Sequence, residues 1–147
     1  MNAVEIERAI TALAEQPFEA EAFPFAFLEA FGNKATTINR LRSGNSNSSD
    51  IESGVLQRSN IHLSTCKKGS VSATLSDLKS SQKTTAGKCK FILATDGEWL
   101  EAENLKTGEP LACPFEEIKK HFDMFLPLAG ITFTSEKSNN PIDVRAT

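Results

Sequence analysis

Ile61-His62-Leu63-Ser64-Thr65-Cys66 reads as a β-strand: Ile61, Leu63 and Thr65 alternate with His62, Ser64 and Cys66. The run follows a turn-rich segment, Ser43 to Ser53, and precedes a Lys67-Lys68-Gly69 turn. Its end carries a hydroxyl and a thiol two residues apart. A carboxylate at the first of these positions could hold a divalent metal ion, and a lysine at the second could polarise an attacking water. Ser64 and Cys66 offer neither a carboxylate nor a positive charge.

Upstream, Val55 to Arg58 predicts a second strand, joined to the first through Ser59-Asn60. Residues 43–53, SGNSNSSDIES, form an internal polar loop by composition. Asp50, and then Glu52, are the acids nearest the strand that follows. Without a partner acid they read as turn or cap residues. Before the loop, Val4, Ile6, Ala9, Ile10, Leu13 and Ala14 recur at helical spacing, so an amphipathic helix ends before Pro17. A second helix starts near Pro24 and runs through Phe27, Leu28 and Phe31 to Gly32. Ala35 to Leu41 continues as a further turn or helix, with Lys34, Arg40 and Arg42 on an exposed edge.

Downstream, Val71, Leu75 and Leu78 form one stripe of a helix of about ten residues that Ser72 could cap. Ser80 to Gly87 reads as a polar link. Phe91-Ile92-Leu93-Ala94 suits a central strand buried on both faces. Asp96-Gly97 signals a hairpin turn into Trp99 to Leu105, and Lys106 to Glu109 turns again into Pro110 to Cys113. Pro114 opens a final helix from Phe115 to Phe122, with Ile118, Phe122 and Phe125 towards the core. The order implies an α/β (α+β) domain with a small mixed sheet flanked by helices.

At 147 residues and 39% hydrophobic, the chain suits one domain with one core. A formal net charge of −3 argues against a strongly basic DNA-binding module. The charge is unevenly spread: residues 67–90 hold six lysines and one aspartate. This basic stretch suits a solvated face or phosphate contact. Cys66, Cys89 and Cys113 lie 23 and 24 apart with no C-x-x-C pair, so zinc and disulfides are not expected. Acids near the N-terminus and the lack of a long apolar run predict a cytoplasmic protein without a membrane span. His62 and Cys66, four apart on a strand, are separated by about 13 Å, too far for a catalytic pair. Phe18, Phe23, Phe25, Phe27 and Phe31 read as core rather than base-stacking residues. Trp99, between Glu98 and Glu101, reads as packing before partner contact.

The chain resembles one family along nearly its whole length, from about Ala3 to Thr147. The resemblance is carried by Pro24 to Lys34 with Ala35 to Arg42, Gly54 to Cys66, Phe91 to Asp96, the Asn104 to Glu109 turn and Phe125 to Ile131. The family is the N-terminal domain of MmeI-like (type IIL restriction-modification) class I SAM-dependent DNA methyltransferases. The resemblance implies a restriction-endonuclease-like fold of the P-D-(D/E)-x-K type. In members with a working nuclease the strand matching Ile61 to Cys66 ends in Glu-x-Lys; aligned on Gly69, Ser64 falls at the glutamate and Cys66 at the lysine. The centre is therefore expected to be degenerate, with no metal bound.

The methyltransferase core is absent from this chain: no G-x-G turn occurs, and Asn140-Pro141-Ile142-Asp143 is not the (N/D)-P-P-(Y/F) motif. No cofactor is expected here, whereas SAM is implied for the full-length family protein. The resemblance implies a non-catalytic module or truncated fragment that packs on the methyltransferase core or a full-length methyltransferase. It could touch the DNA backbone through Lys67, Lys68, Lys88 and Lys90, and less so through Arg40 and Arg42. Alternatives are a divergent metal-dependent DNA endonuclease using Asp50 or Glu52, and a small stand-alone interaction protein.

Overall fold

The computed structural model describes residues 2–44, 47, 49–51 and 53–131. Five strands form one sheet in chain order: β1 (Gly54–Gln57), β2 (Ile61–Thr65), β3 (Phe91–Thr95), β4 (Trp99–Asn104) and β5 (Pro110–Pro114). β2 and β3 are parallel and the other neighbouring pairs antiparallel, so the sheet is mixed. The parallel pair requires a crossover, supplied by helices α4 (Val71–Ser80) and α5 (Gln82–Ala86). The expected 55–58 and 61–66 strands are the β1–β2 hairpin, and Phe91 to Ala94 is the central strand, buried throughout.

The strand alternation sorts side chains onto two covered faces. Val55, Leu63, Leu93, Ala102 and Leu111 stand in register across all five strands. They face α1 (Ala3–Glu15), α2 (Phe23–Ala30), α3 (Ala35–Ser43) and two 3-10 segments, Phe115–Lys120 and Phe122–Ala129. On the other face, Ile92 and Ala94 pack beneath Val71 and Leu78 of α4. α1 starts with a capping box: Asn2 Oδ1 accepts from Glu5 N at 2.9 Å and Glu5 Oε1 from Asn2 N at 3.0 Å. The phenylalanine-rich segment supplies the centre of the helical layer. Phe27 lies 4.9 Å from Phe31 and 5.5 Å, edge-on, from Phe125.

Several sequence expectations change. Val4 is 55% exposed and off the buried stripe, which Ile6 and Ile10 occupy. Ser72 sits inside α4 and donates to Glu101 Oε2 at 2.6 Å; Ser70 holds the N-cap position. The segment read as a polar link contains α5, started by Ser81, whose Oγ accepts from Lys83 N at 3.1 Å. The final helix is not α but two 3-10 segments broken at His121. The apolar spacing explains this. Phe115 and Ile118, then Phe122, Phe125 and Leu128, recur every three residues, the period of a 3-10 helix. Trp99 is 39% exposed, and its Nε1 donates to Glu101 Oε2 at 3.0 Å.

The sheet edges are blunted. The bonds Asn104 N→Glu109 O and Phe115 N→Glu98 O set which β5 residues pair with β4. Pro110, Ala112 and Pro114 therefore turn their backbone outward, and two of the three have no N–H to offer a second strand. On the β1 edge the Asn47 amide does the same work. Its Nδ2 donates to Gly54 O at 3.1 Å and its Oδ1 accepts from Leu56 N at 2.9 Å. Gly97, at φ 94°, closes the β3–β4 turn against the Phe18 ring, where a Cβ would stand 2.5 Å from a ring carbon.

Candidate functional site

His62, Ser64 and Cys66 project from β2 towards the α4 side of the sheet, the face opposite Ile61 and Leu63. Between them, α4 and Asp50, Ile51 and Ser53 lies an open cleft of about 550 Å³. Asp50, Ser53, Ser64, Cys66, Lys67 and Asp77 line it, together with Ser70 and Thr74. The fold thus gathers Asp50, Ser64, Cys66 and Lys67, which are distant in sequence, around one space. Glu52 lies outside the described residues. Asp77, Thr74 and Ser70 were missed, although they recur at helical spacing beside the apolar stripe of α4.

A buried histidine holds the loop in place. His62 is fully buried. Its Nδ1 lies 2.8 Å from Thr84 Oγ1, and its Nε2 lies 2.7 Å from Ser49 Oγ. Thr84 Oγ1 donates its own hydrogen to Leu78 O at 2.7 Å, so it must accept from Nδ1–H. Nε2 then accepts from Ser49, a tautomer assigned by the network. Burial lowers the imidazole to about 4, partly opposed by the Asp50 charge, so the ring is neutral near pH 7. Asp50 is itself anchored by Ser81 Oγ, which donates to its Oδ1 at 2.7 Å.

Ser64 is 1% exposed, and its Oγ donates to Thr65 O at 2.9 Å. Cys66 Sγ lies 3.6 Å from Thr95 O. Burial pushes its thiol up and the Asp96 charge adds to this, against a hydrogen bond with Thr74. Cys66 is therefore a neutral thiol near pH 7, a poor nucleophile and a poor metal ligand. Among the described residues, no group of three or more His, Cys, Asp or Glu is placed to hold a metal ion. Magnesium is held chiefly by charged carboxylate oxygens; the Ser64 hydroxyl is uncharged and donates to Thr65 O, and the Cys66 thiol is a soft donor, so the pair does not replace a carboxylate.

Asp96, at the hairpin turn expected from Asp96-Gly97, is occupied by turn structure. It accepts from Gly69 N at 2.9 Å and from Glu98 N and Trp99 N at 2.8 Å each. Burial pushes its pKa up, but these backbone N–H groups together outweigh that and lower it. Its stabilising charge is present above the unfolded carboxylate range and lost as pH falls through the lower folded value. Asp96→Ala is expected to cost about 1–3 kcal/mol by freeing three N–H groups. Urea unfolding at pH 7 checks this.

The cations proposed for phosphate contact do not share one surface. Lys67 borders the cleft and Lys68 pairs with Glu98 at 3.0 Å. Lys88 and Lys90 lie at the start of β3, which is the opposite end of the parallel pair from Lys67 and Lys68. Arg40 and Arg42 are on α3, the Arg42 guanidinium 4.7 Å from the Phe25 ring centre. The three cysteines are free thiols: Cys89 and Cys113 are buried and Cys66 is half-buried. No described helix is long and apolar enough to cross a membrane.

A five-stranded mixed sheet with helices on both faces and a polar cleft beside the carboxyl end of β2 defines a mixed α/β domain. The chain belongs to the family of MmeI N-terminal domains, whose model matches residues 1–147. It is 27% identical over 146 residues to DNA methyltransferase A of Bacillus subtilis (strain 168). That match covers 99% of this chain and 16% of the relative, so the chain spans a small part of the relative's length. No solved structure matches it.

Proposed function

We propose that this chain is a catalytically silent, nuclease-like accessory module of a bacterial DNA methyltransferase of the restriction-modification type. The observation that carries the reading is the cleft chemistry. Ser64 and Cys66 occupy its β2 wall, where the family resemblance calls for a metal-binding glutamate and a water-activating lysine. The restriction-endonuclease-like fold belongs to this proposal. Its support is the β1–β2 hairpin followed by a helical crossover to a parallel strand. The module works in the cytoplasm, packed on the methyltransferase core. That core, rather than this chain, holds SAM and transfers the methyl group to adenine. The relative's name supports DNA as the substrate of the whole protein.

A second reading, a divergent metal-dependent endonuclease, is favoured by Asp50 and Asp77 lining the same cleft. A plasmid-nicking assay with magnesium or manganese separates the two. Wild type, Asp50→Ala and Asp77→Ala are all expected to leave supercoiled plasmid intact at the level of a buffer control. Metal-dependent nicking by wild type that either substitution abolishes would overturn the silent-module reading.

A further inference from the structure

The end of the sheet opposite the cleft brings together three turns that are far apart in sequence. Ser59 N donates to Gly87 O at 2.7 Å, Lys90 N to Asn60 O at 2.7 Å and Leu105 N to Lys90 O at 2.8 Å. The β1–β2 turn, the α5–β3 junction and the β4–β5 turn therefore lie side by side. Residues 57–60, 87–90 and 105–109 hold four cations, Arg58, Lys88, Lys90 and Lys106, against one acid, Glu109. Arg58, Lys88 and Lys106 are exposed and Lys90 is half-buried; Lys83 of α5 is exposed close by. None of these five makes an ion pair among the described residues, whereas Lys68, Lys79 and Lys120 do. On a chain of net charge −3, such a local excess is not a by-product of overall composition.

Backbone geometry adds a separate observation. Lys88 has φ 55° and Ser59 φ 67°, in the left-handed region that glycine occupies without strain. Lysine therefore stands at a position where the backbone favours glycine.

We propose that this basic end is a docking surface for the phosphodiester backbone of duplex DNA, separate from the cleft. Adjacent strands are about 4.8 Å apart, so turns spanning β1 to β5 spread the cations over roughly 10–20 Å. Duplex DNA presents one charge per ~1.7 Å of its axis, enough for several of these side chains to find phosphates at once. The contacts are sequence-independent, so the surface positions the module on DNA and leaves base reading to other parts of the protein. The choice of DNA over an acidic protein rests on the methyltransferase reading above; the surface itself does not depend on the cleft being silent.

Fluorescence anisotropy of this chain with a labelled 20-base-pair duplex at low and moderate salt tests the proposal. Wild type is expected to bind, with affinity falling as salt rises. Lys88→Gly, which relieves the left-handed lysine while removing its charge, is expected to keep or raise the melting temperature yet weaken binding several-fold. An Arg58→Gln/Lys90→Gln/Lys106→Gln variant is expected to lose at least tenfold and to show a shallower salt dependence, by about 2 to 3 in log–log slope. Lys67→Gln/Lys68→Gln, at the other end, is expected to bind as wild type does. Equal binding by the triple variant, or loss confined to the Lys67/Lys68 variant, would overturn the assignment. So would binding of polyglutamate in preference to duplex, which would indicate an acidic protein partner. Plasmid nicking decides the silent-module reading independently, so the two can fail separately.

Discussion

Replacing His62 with alanine is expected to lower stability by about 3–4 kcal/mol at pH 7, enough to unfold a large fraction of a marginally stable domain. The ring is fully buried and joins three segments: β2 through its own backbone, the 49–51 stretch through Ser49, and α5 through Thr84. Truncation takes one partner each from the buried Thr84 hydroxyl and the half-buried Ser49 hydroxyl, and opens a cavity where the ring stood. The same residue predicts a pH dependence. The folded ring is held at about 4, while the unfolded chain titrates near 6.5. Between these values the unfolded state binds the extra proton, so stability is full above about pH 6.5 and declines as pH falls towards 4. The loss attributable to this one group is on the order of 3 kcal/mol. Urea unfolding of wild type and His62→Asn across pH 4.5–7.5 isolates it. The variant is expected to show the flatter profile, and parallel profiles would show that His62 is not the titrating group. Loss of the latch also releases the stretch bearing Asp50, so it reshapes the cleft as well as the stability.

Phe27→Ala is expected to cost about 3–5 kcal/mol and to lower the melting temperature by roughly 10 °C. Phe27 is fully buried at the junction of α2, the second 3-10 segment and the helical face of the sheet. It touches Phe23, Phe31 and Phe125, with ring centres 4.9–5.8 Å apart. Phe27→Leu, which keeps most of the volume, should cost less than half as much. Calorimetric melting of the two variants checks both the size and the order. An alanine variant as stable as the leucine one would mean that the aromatic cluster is not the packed centre of this layer.

Both effects arise from side chains that the sequence presents differently. The phenylalanines were legible as core because apolar residues at helical spacing beside Leu28 have few alternatives to burial. His62 was legible as a strand residue but not as a latch. Its partners, Ser49 and Thr84, lie 13 and 22 residues away and belong to segments read as a loop and a link. The cleft was legible in part for the same reason. Ser64 and Cys66 follow from strand periodicity and Asp50 from its place before β1, whereas Asp77 enters only because α4 lies over β2. The lysines of residues 67–90 are near one another in sequence, yet a parallel crossover carries the chain from one end of the sheet to the other. Lys67 and Lys90 therefore finish at opposite poles.

The sequence by itself determined which segments form strands and which residues lie on each strand face, because alternation of period two and turn residues act locally. It also determined that the β2 positions in question hold a hydroxyl and a thiol. Only the tertiary structure decided that β2 and β3 run parallel, that an imidazole ties the loop to α5, and which cations gather at one end. Those outcomes depend on hydrogen bonds and packing between distant segments, and no local pattern encodes which distant partner a buried polar group will meet.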